Sequence, residues 1–474
     1  MGPDVSARLV ASHLTDLVLH DDRCFDPDPA IRAAARALYE ETRGLPIVSP
    51  HGHVEPRLLA DNAPFPDPTA LLVTLDHYVT RMLHSQGVAL ASDARKVWRD
   101  FAANYHLFLG TPTGYWLDHE LHELFGVRTR LSAETADMVY DQVAERLGSP
   151  EFRPRALFDR FNIEVLATTD GAADSLEHHR AIRASGWQGR VIPTLRPDRL
   201  FRIAAPGWAL EVEALAVASG TTIGDVAGFI GALIDRRGFF ILHGATATDH
   251  GVVEPFTEQV PLDVLQHIFR RALDRSATAE DQRRFEGHML MEMARLSVED
   301  GLVMQLHAGA LRDHDRVLAE RFGPDRGGDI PVAVEFTRNL RPLLNAYGND
   351  PRLMLILFTL DESAYSRELA PLAGYYPAVR LGPPWWFHDS MQGMRRFREQ
   401  TSETAGFWNT AGFNDDTRAF CSIPARHDLA RRMDANYLAG LVARHVIGIA
   451  DACNVARALA CDLARDAYRL APLS

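Results

Sequence analysis

The chain has 474 residues, 46% hydrophobic and 24% charged, with 63 acidic against 50 basic side chains and a formal charge of -13. Such a composition fits a large enzyme and excludes the basic stripe needed to neutralise nucleic-acid phosphates. No uninterrupted apolar run reaches the roughly 20 residues that span a bilayer, so neither nucleic acid nor membrane is an expected partner.

The start, MGPDVSARLV, lacks the charged-then-apolar order of a secretory signal. It matches a loose myristoylation pattern through Gly2 and Ser6, with no basic anchor beside it. Cys24, Cys421, Cys453 and Cys461 form no Cys-x-x-Cys pair, and buried thiols in the cytoplasm are the expectation. The single lysine, Lys96, falls in a helical pattern and reads as a surface residue. No lysine remains to serve at a strand end as a metal bridge or a Schiff-base group.

The first expected strand, 46–49, runs into His51-Gly52-His53. Side chains two apart on a strand share a face, so both imidazoles project to one side as a candidate metal clamp. Paired turn histidines also arise by chance. Residues 55–160 carry no convincing strand and read as helices, a helical insertion over a barrel mouth. Within it Asp76-His77-Tyr78 opens a helix, where Tyr78 is either a site hydroxyl or a buried one with its bond satisfied. His119-Glu120-Leu121-His122-Glu123 imitates a zinc-protease helix, but its second histidine comes one position early.

Further strands are expected at 164–168, 190–194, 239–242, 302–306, 353–359, 379–381 and 406–413, with helices between them and a helical block from about 261 to 300. Alternating strands and helices predict the α/β class and a (β/α)8 TIM-type barrel. The whole chain then forms one catalytic unit: 1–54 as N-terminal helices and first strand, 55–160 as insertion, 161–427 as the rest of the barrel, 428–474 as C-terminal helices.

Chemistry in such barrels collects at the C-terminal strand ends. The candidates there are His51, His53, Thr169-Asp170, Arg196, His243, His307, Asp361 and Asp415-Asp416. Arg196 can fork onto a carboxylate or tie down a loop. His307 is a site group or a satisfied core histidine, and Trp385-Trp386 suit either a sugar face or lid packing. The Asp415-Asp416 pair fits a surface turn. It also fits a third metal ligand, because first and last strands are neighbours in a closed barrel.

Taken in order, SPHGHVEP, LDHYVTRM, ATTDGAADSLEHH, IPTLRPD, VMQLHAGALRD, PPWWFHDSMQGM and DDTRAF followed by PARHD resemble the uronate (glucuronate) isomerase family of the amidohydrolase superfamily, across positions 49 to 428. The resemblance implies a barrel holding one divalent metal, Zn2+, on His51, His53 and Asp416. It implies reversible conversion of D-glucuronate to D-fructuronate and of D-galacturonate to D-tagaturonate through a cis-enediol. Tyr78 and Asp416 would be the acid/base pair, and Arg196, His307, Arg418, Trp385, Trp386 and His77 would meet the substrate. The missing strand-end lysine agrees with a single metal. Tyrosine at its ordinary pKa of about 10 is a poor base, so a neighbouring metal or arginine is expected to lower it. Asp415 takes the family's threonine place, so the choice of Asp416 rests on a two-residue step to Arg418. Gly171 and His388 depart from the family pattern and the segment after Arg418 matches loosely, and substrate preference and catalytic rate are the properties these departures touch. A mononuclear metal-dependent hydrolase of the same superfamily, with Asp416 activating water, is the alternative. A hexuronate and further copies of the chain are the expected partners.

Overall fold

The computed structural model describes residues 16–88, 93–323 and 326–471, which leaves Gly2 and Ser6 outside the described residues. Its barrel strands are β1 (Ile47–Ser49), β2 (Ile163–Ala167) continued by β3 (Asp170–Gly171), β4 (Val191–Ile192) continued by β5 (Leu195–Arg196), β6 (Ala247–Val252), β7 (Val303–Ala308), β8 (Leu355–Thr359) and β9 (Val379–Leu381), beside a small antiparallel pair of Ala310–Leu311 with Ile330–Pro331. Neighbours pair in parallel and in chain order, from β1 with β2 through to β8 with β9. A parallel bridge joins Leu381 to Thr410, and the His53 N–H donates to the Thr417 carbonyl at 3.0 Å, which brings the last segment back to the first. This is the α/β barrel expected from the alternating pattern; the last segment carries a single bridge in place of a full strand.

Strand alternation sorts the core. Val48, Val165, Val303, Ile356 and Phe358 pack together in the barrel interior, while Met304, Leu306, Leu355 and Leu357 turn outward into the helix-covered cluster. On β7 the interior face therefore carries Val303, Gln305 and His307. Gln305 at mid-strand accepts the hydroxyl of Tyr468 at 2.8 Å, a fully buried side chain from the C-terminal end of the chain.

One expected strand is corrected. Residues 239–242 belong to a helix, Val226–Leu242, and the strand follows at Ala247–Val252. Phe-Phe-Ile-Leu is apolar because that helix packs on the barrel, whereas the true strand is ATDHGV, whose inward positions near the mouth are polar. His243 accordingly caps a helix end, its Nδ1 at 2.8 Å from the Phe239 carbonyl, and is no strand-end group.

Between β1 and β2 lie the helices Pro56–Asp61, His77–Ser85, Ala94–Ala103, Pro112–His119, Ala136–Leu147 and Pro154–Arg160, built on their own apolar cluster. Lys96 sits on one of them, paired with Asp100 at 2.7 Å and 60% exposed. A long helix, Ile423–Ala443, runs across position 428 and packs against Pro29–Thr42. Among the described residues no helix is long and apolar enough to cross a membrane, and all four cysteines are free.

Candidate active site

β1 ends at Ser49, and the chain then turns so that His51 and His53 face a common point with Asp416. His51 Nε2 lies 3.3 Å and His53 Nε2 3.1 Å from Asp416 Oδ1. Asp416 Oδ1 is buried and has no hydrogen-bond partner, so the contact distances do not come with hydrogen-bonding angles. His307 Nε2 is also buried and unbonded. Donor atoms of His51, His307 and Asp416 all lie within 4.8 Å of one another. Unbonded lone pairs that converge in this way, from imidazoles and one carboxylate, fit a divalent metal.

Backbone geometry supports the cluster. Asp416 has φ 41°, a left-handed conformation that costs a non-glycine residue about 1–2 kcal/mol. The turn separates the two aspartates. Asp415 aims at His427, Oδ2 to Nε2 3.2 Å, while Asp416 aims at the histidines.

Electrostatics follow from burial and neighbours. Burial pushes the Asp416 carboxyl up, but His51 and His53 outweigh it and hold it well below the usual range. Burial lowers His53 and His307 below their ordinary 6.5, which favours the neutral imidazole a metal requires. On His51 burial also pulls down, and Asp416 overrides it to raise the ring.

Behind the cluster stands Asp249, which the sequence reading missed along with its strand. Its Oδ1 lies 2.7 Å from His307 Nδ1, and Arg196 Nη1 lies 3.2 Å from its Oδ2. Arg196 Nε donates to Asp198 at 2.7 Å, so two edges of that guanidinium are held by the protein. Its side chain stays 24% exposed.

Above the cluster opens a cleft walled by His53, His77, Tyr78, Arg312, Trp385, Trp386, Asp389, Asp416, Arg418 and Arg426 among others. Trp385 meets His307 edge-on at 4.8 Å, and Trp386 stacks on Phe387 at 5.2 Å. Arg418 Nη1 is 3.3 Å from His77 Nε2. Arg312, which pairs with Asp329 at 2.6 Å, adds a cation the sequence reading passed over within GALRD.

Tyr78 reaches the cleft because Asp76 caps its helix, accepting the Tyr78 N–H at 2.8 Å. Its hydroxyl donates to Asp389 at 2.6 Å and accepts the Phe387 N–H at 2.8 Å. Burial and the Asp389 charge raise the phenol well above 10, and the pull of Arg426 does not reverse this. Of the two groups expected to lower this phenol, the arginine is present as Arg426, and burial with the Asp389 charge outweighs it. Thr169 and Asp170 lie at the mouth's edge, Thr169 donating to the Gly52 carbonyl at 2.9 Å. Asp361 caps loops through Ser363 and Val334.

Barrel, donor cluster and polar cleft define an α/β-barrel enzyme with a histidine–carboxylate centre at its mouth. Residues 30–459 match the glucuronate isomerase family. A uronate isomerase of Rhizorhabdus wittichii is 54% identical over 461 residues, 96% of this chain and 99% of that protein. The crystal structure of glucuronate isomerase from Caulobacter crescentus superposes with a TM-score of 0.95 at 48% identity, covering 97% of this chain and 98% of that one. That of a uronate isomerase from Thermotoga maritima gives 0.91 at 29% identity, covering 95% and 99%. The chain belongs to the glucuronate isomerase family.

Proposed function

We propose that this enzyme interconverts D-glucuronate and D-fructuronate, and D-galacturonate and D-tagaturonate, by proton transfer between C2 and C1 through a cis-enediol. The single observation that carries the reading is the convergence of His51, His53 and Asp416 on one floor beneath a cleft that also holds Tyr78. His51, His53 and Asp416, with His307 beside them, would hold one divalent metal, Zn2+ by the nitrogen-rich donor set. When bound, that ion supplies Lewis-acid polarisation of the sugar carbonyl.

Tyr78 and Asp416 are the acid/base pair of this reading, Tyr78 as a phenol that hands on protons without ionising. Arg312, Arg418 and His77 offer charge and donors to the substrate's oxygens, with Arg196 presenting its remaining edge from below. Trp385 and Trp386 give the sugar a flat apolar wall and exclude water.

The chain acts as one catalytic unit in the cytoplasm and assembles with copies of itself. Exposed Leu210, Val217 and Leu242, on two adjoining helices, support assembly. The test is incubation with glucuronate and with galacturonate, with and without chelator. The expected result is ketose formation that chelator abolishes and zinc restores. No ketose from either uronate would overturn the reading.

A further inference from the structure

Tyr78 has both hydrogen-bonding roles of its hydroxyl filled by the protein, and the group that receives its proton is itself anchored. Asp389 Oδ1 takes the Tyr78 O–H at 2.6 Å, and Asp389 Oδ2 lies 3.1 Å from Arg426 Nη1. Arg426 is 4% exposed, donates Nε to Ser422 at 3.0 Å, and lies with its guanidinium carbon 3.7 Å from the Trp116 ring centre. Phe387, whose N–H fixes the far side of the Tyr78 oxygen, adopts φ 64°. A strained backbone, a buried arginine and a buried aspartate all serve one phenolic oxygen at the cleft wall.

We propose that Asp389, held by Arg426, is a positioning residue that takes the Tyr78 hydroxyl proton and returns it in each turnover. The idea rests on the reading of Tyr78 as an acid/base group. As the substrate C2–H bond breaks, its proton bonds to the Tyr78 oxygen while the original Tyr78 proton passes to Asp389. The C–H electron pair becomes the C1–C2 π bond of the enediol, and the carbonyl π pair moves to oxygen. Asp416, the other member of the acid/base pair, moves a proton from the C2 hydroxyl to the C1 oxygen. The electron pair left on the C2 oxygen then forms the ketone, the C1–C2 π pair takes the Tyr78 proton at C1, and Asp389 returns its proton to Tyr78 and is a carboxylate again. The phenol never ionises, and one negative charge moves from Asp389 to the sugar. Burial raises the Asp389 carboxyl above its ordinary 3.8 although Arg426 and Tyr78 pull the other way, which makes it a better proton acceptor.

The experiment is steady-state kinetics against pH for the zinc-loaded Tyr78→Phe, Asp389→Asn, Asp389→Glu and Arg426→Gln variants. Asp389→Asn is expected to lower kcat about 100-fold or more at little-changed KM and metal content, and to lose the acid limb of the kcat profile. Asp389→Glu is expected to recover part of the rate, because it restores a carboxylate. Arg426→Gln keeps the limb but shifts it to higher pH, and this variant decides the matter if Asp389→Asn does not fold. An Asp389→Asn enzyme within threefold of the parent, beside an inactive Tyr78→Phe, overturns the relay and leaves Tyr78 standing. A fully active Tyr78→Phe overturns both. An acid limb unmoved in Arg426→Gln overturns the relay as well.

Discussion

Asp249 and His307 face each other from adjacent strands, Oδ1 to Nδ1 2.7 Å, and this contact decides which nitrogen of His307 points at the donor cluster. A carboxylate beside Nδ1 keeps the proton there, so Nε2 presents a lone pair. Burial pushes Asp249 up, but Arg196 and His307 outweigh it and keep it charged. Asp249→Asn puts an amide in its place and frees the ring to take the other tautomer. Zinc titration of the apo variant is expected to show affinity weakened 10- to 100-fold, with activity falling in parallel. Unchanged affinity would remove His307 from the metal's surroundings.

Glu120 lies 3% exposed within the insertion, and its carboxyl is pushed up to about 8 by burial and by the Asp76 charge, against the pull of Arg426. In the unfolded chain the same group titrates near its ordinary 4.5. Between those values the folded protein holds a proton that the unfolded chain has released, so stability falls as pH rises, by about 1.4 kcal/mol per pH unit. Above about 8 both states are ionised and the loss is complete. Glu120→Gln mimics the protonated form. Its melting temperature is expected to match the parent at pH 5 and exceed it at pH 8.5. Parallel curves across that range would contradict the burial assignment.

Asp428 ties three parts of the chain to one carboxylate. Arg23 donates to it at 2.8 Å, Tyr115 at 2.6 Å and Arg432 at 2.9 Å, and the Tyr39 hydroxyl donates as well. Burial raises this carboxyl, but His119, Arg432 and Arg23 hold it far below its ordinary 3.8. Its stabilisation is present above the unfolded value and is lost as pH falls below it. Asp428→Asn leaves buried cations without a counter-charge and is expected to cost about 3–5 kcal/mol at pH 7, read by urea denaturation. The gap between variant and parent should narrow below pH 4.

The contrast between these sites shows what local pattern can carry. His51-Gly52-His53 drew notice because it follows an apolar strand, but both residues lie past the end of that strand, and it is the turn after Ser49, not strand alternation, that brings them to Asp416. The barrel was legible from alternation, and the capping Asp76 announced the helix that carries Tyr78. Asp249 was hidden because an inward strand near a polar mouth, ATDHGV, has no hydrophobic period, and the neighbouring apolar FFIL belongs to a helix. Asp389 and Arg426 sat inside segments already noted, WWFHD and PARHD. Their role depends on a contact with Tyr78 across 311 positions of chain and on one with each other across 37, which no local pattern encodes. The difference between Asp415 and Asp416 is likewise tertiary: the turn aims Asp416 at His51 and Asp415 at His427.

Gly251 shows how little room the floor of the site leaves. A Cβ there would stand 2.6 Å from Arg196 Nη2 and 2.9 Å from Asp198 Oδ2, closer than side chains tolerate. The glycine N–H also donates to both oxygens of Asp198 at 3.1 Å, which sets the carboxylate that holds Arg196. Gly251→Ala must therefore push the guanidinium aside, with an overpacking cost of about 1–3 kcal/mol. Because Arg196 Nε and Nη1 are already held by protein, a displaced guanidinium loses the edge assigned to the sugar acid. KM for the uronate is expected to rise about tenfold, equivalent to about 1.4 kcal/mol of binding, with kcat falling less. An unchanged KM, with the variant folded and zinc-loaded, would mean that Arg196 serves Asp249 alone and that the cations of the upper wall, Arg312 and Arg418, carry the carboxylate.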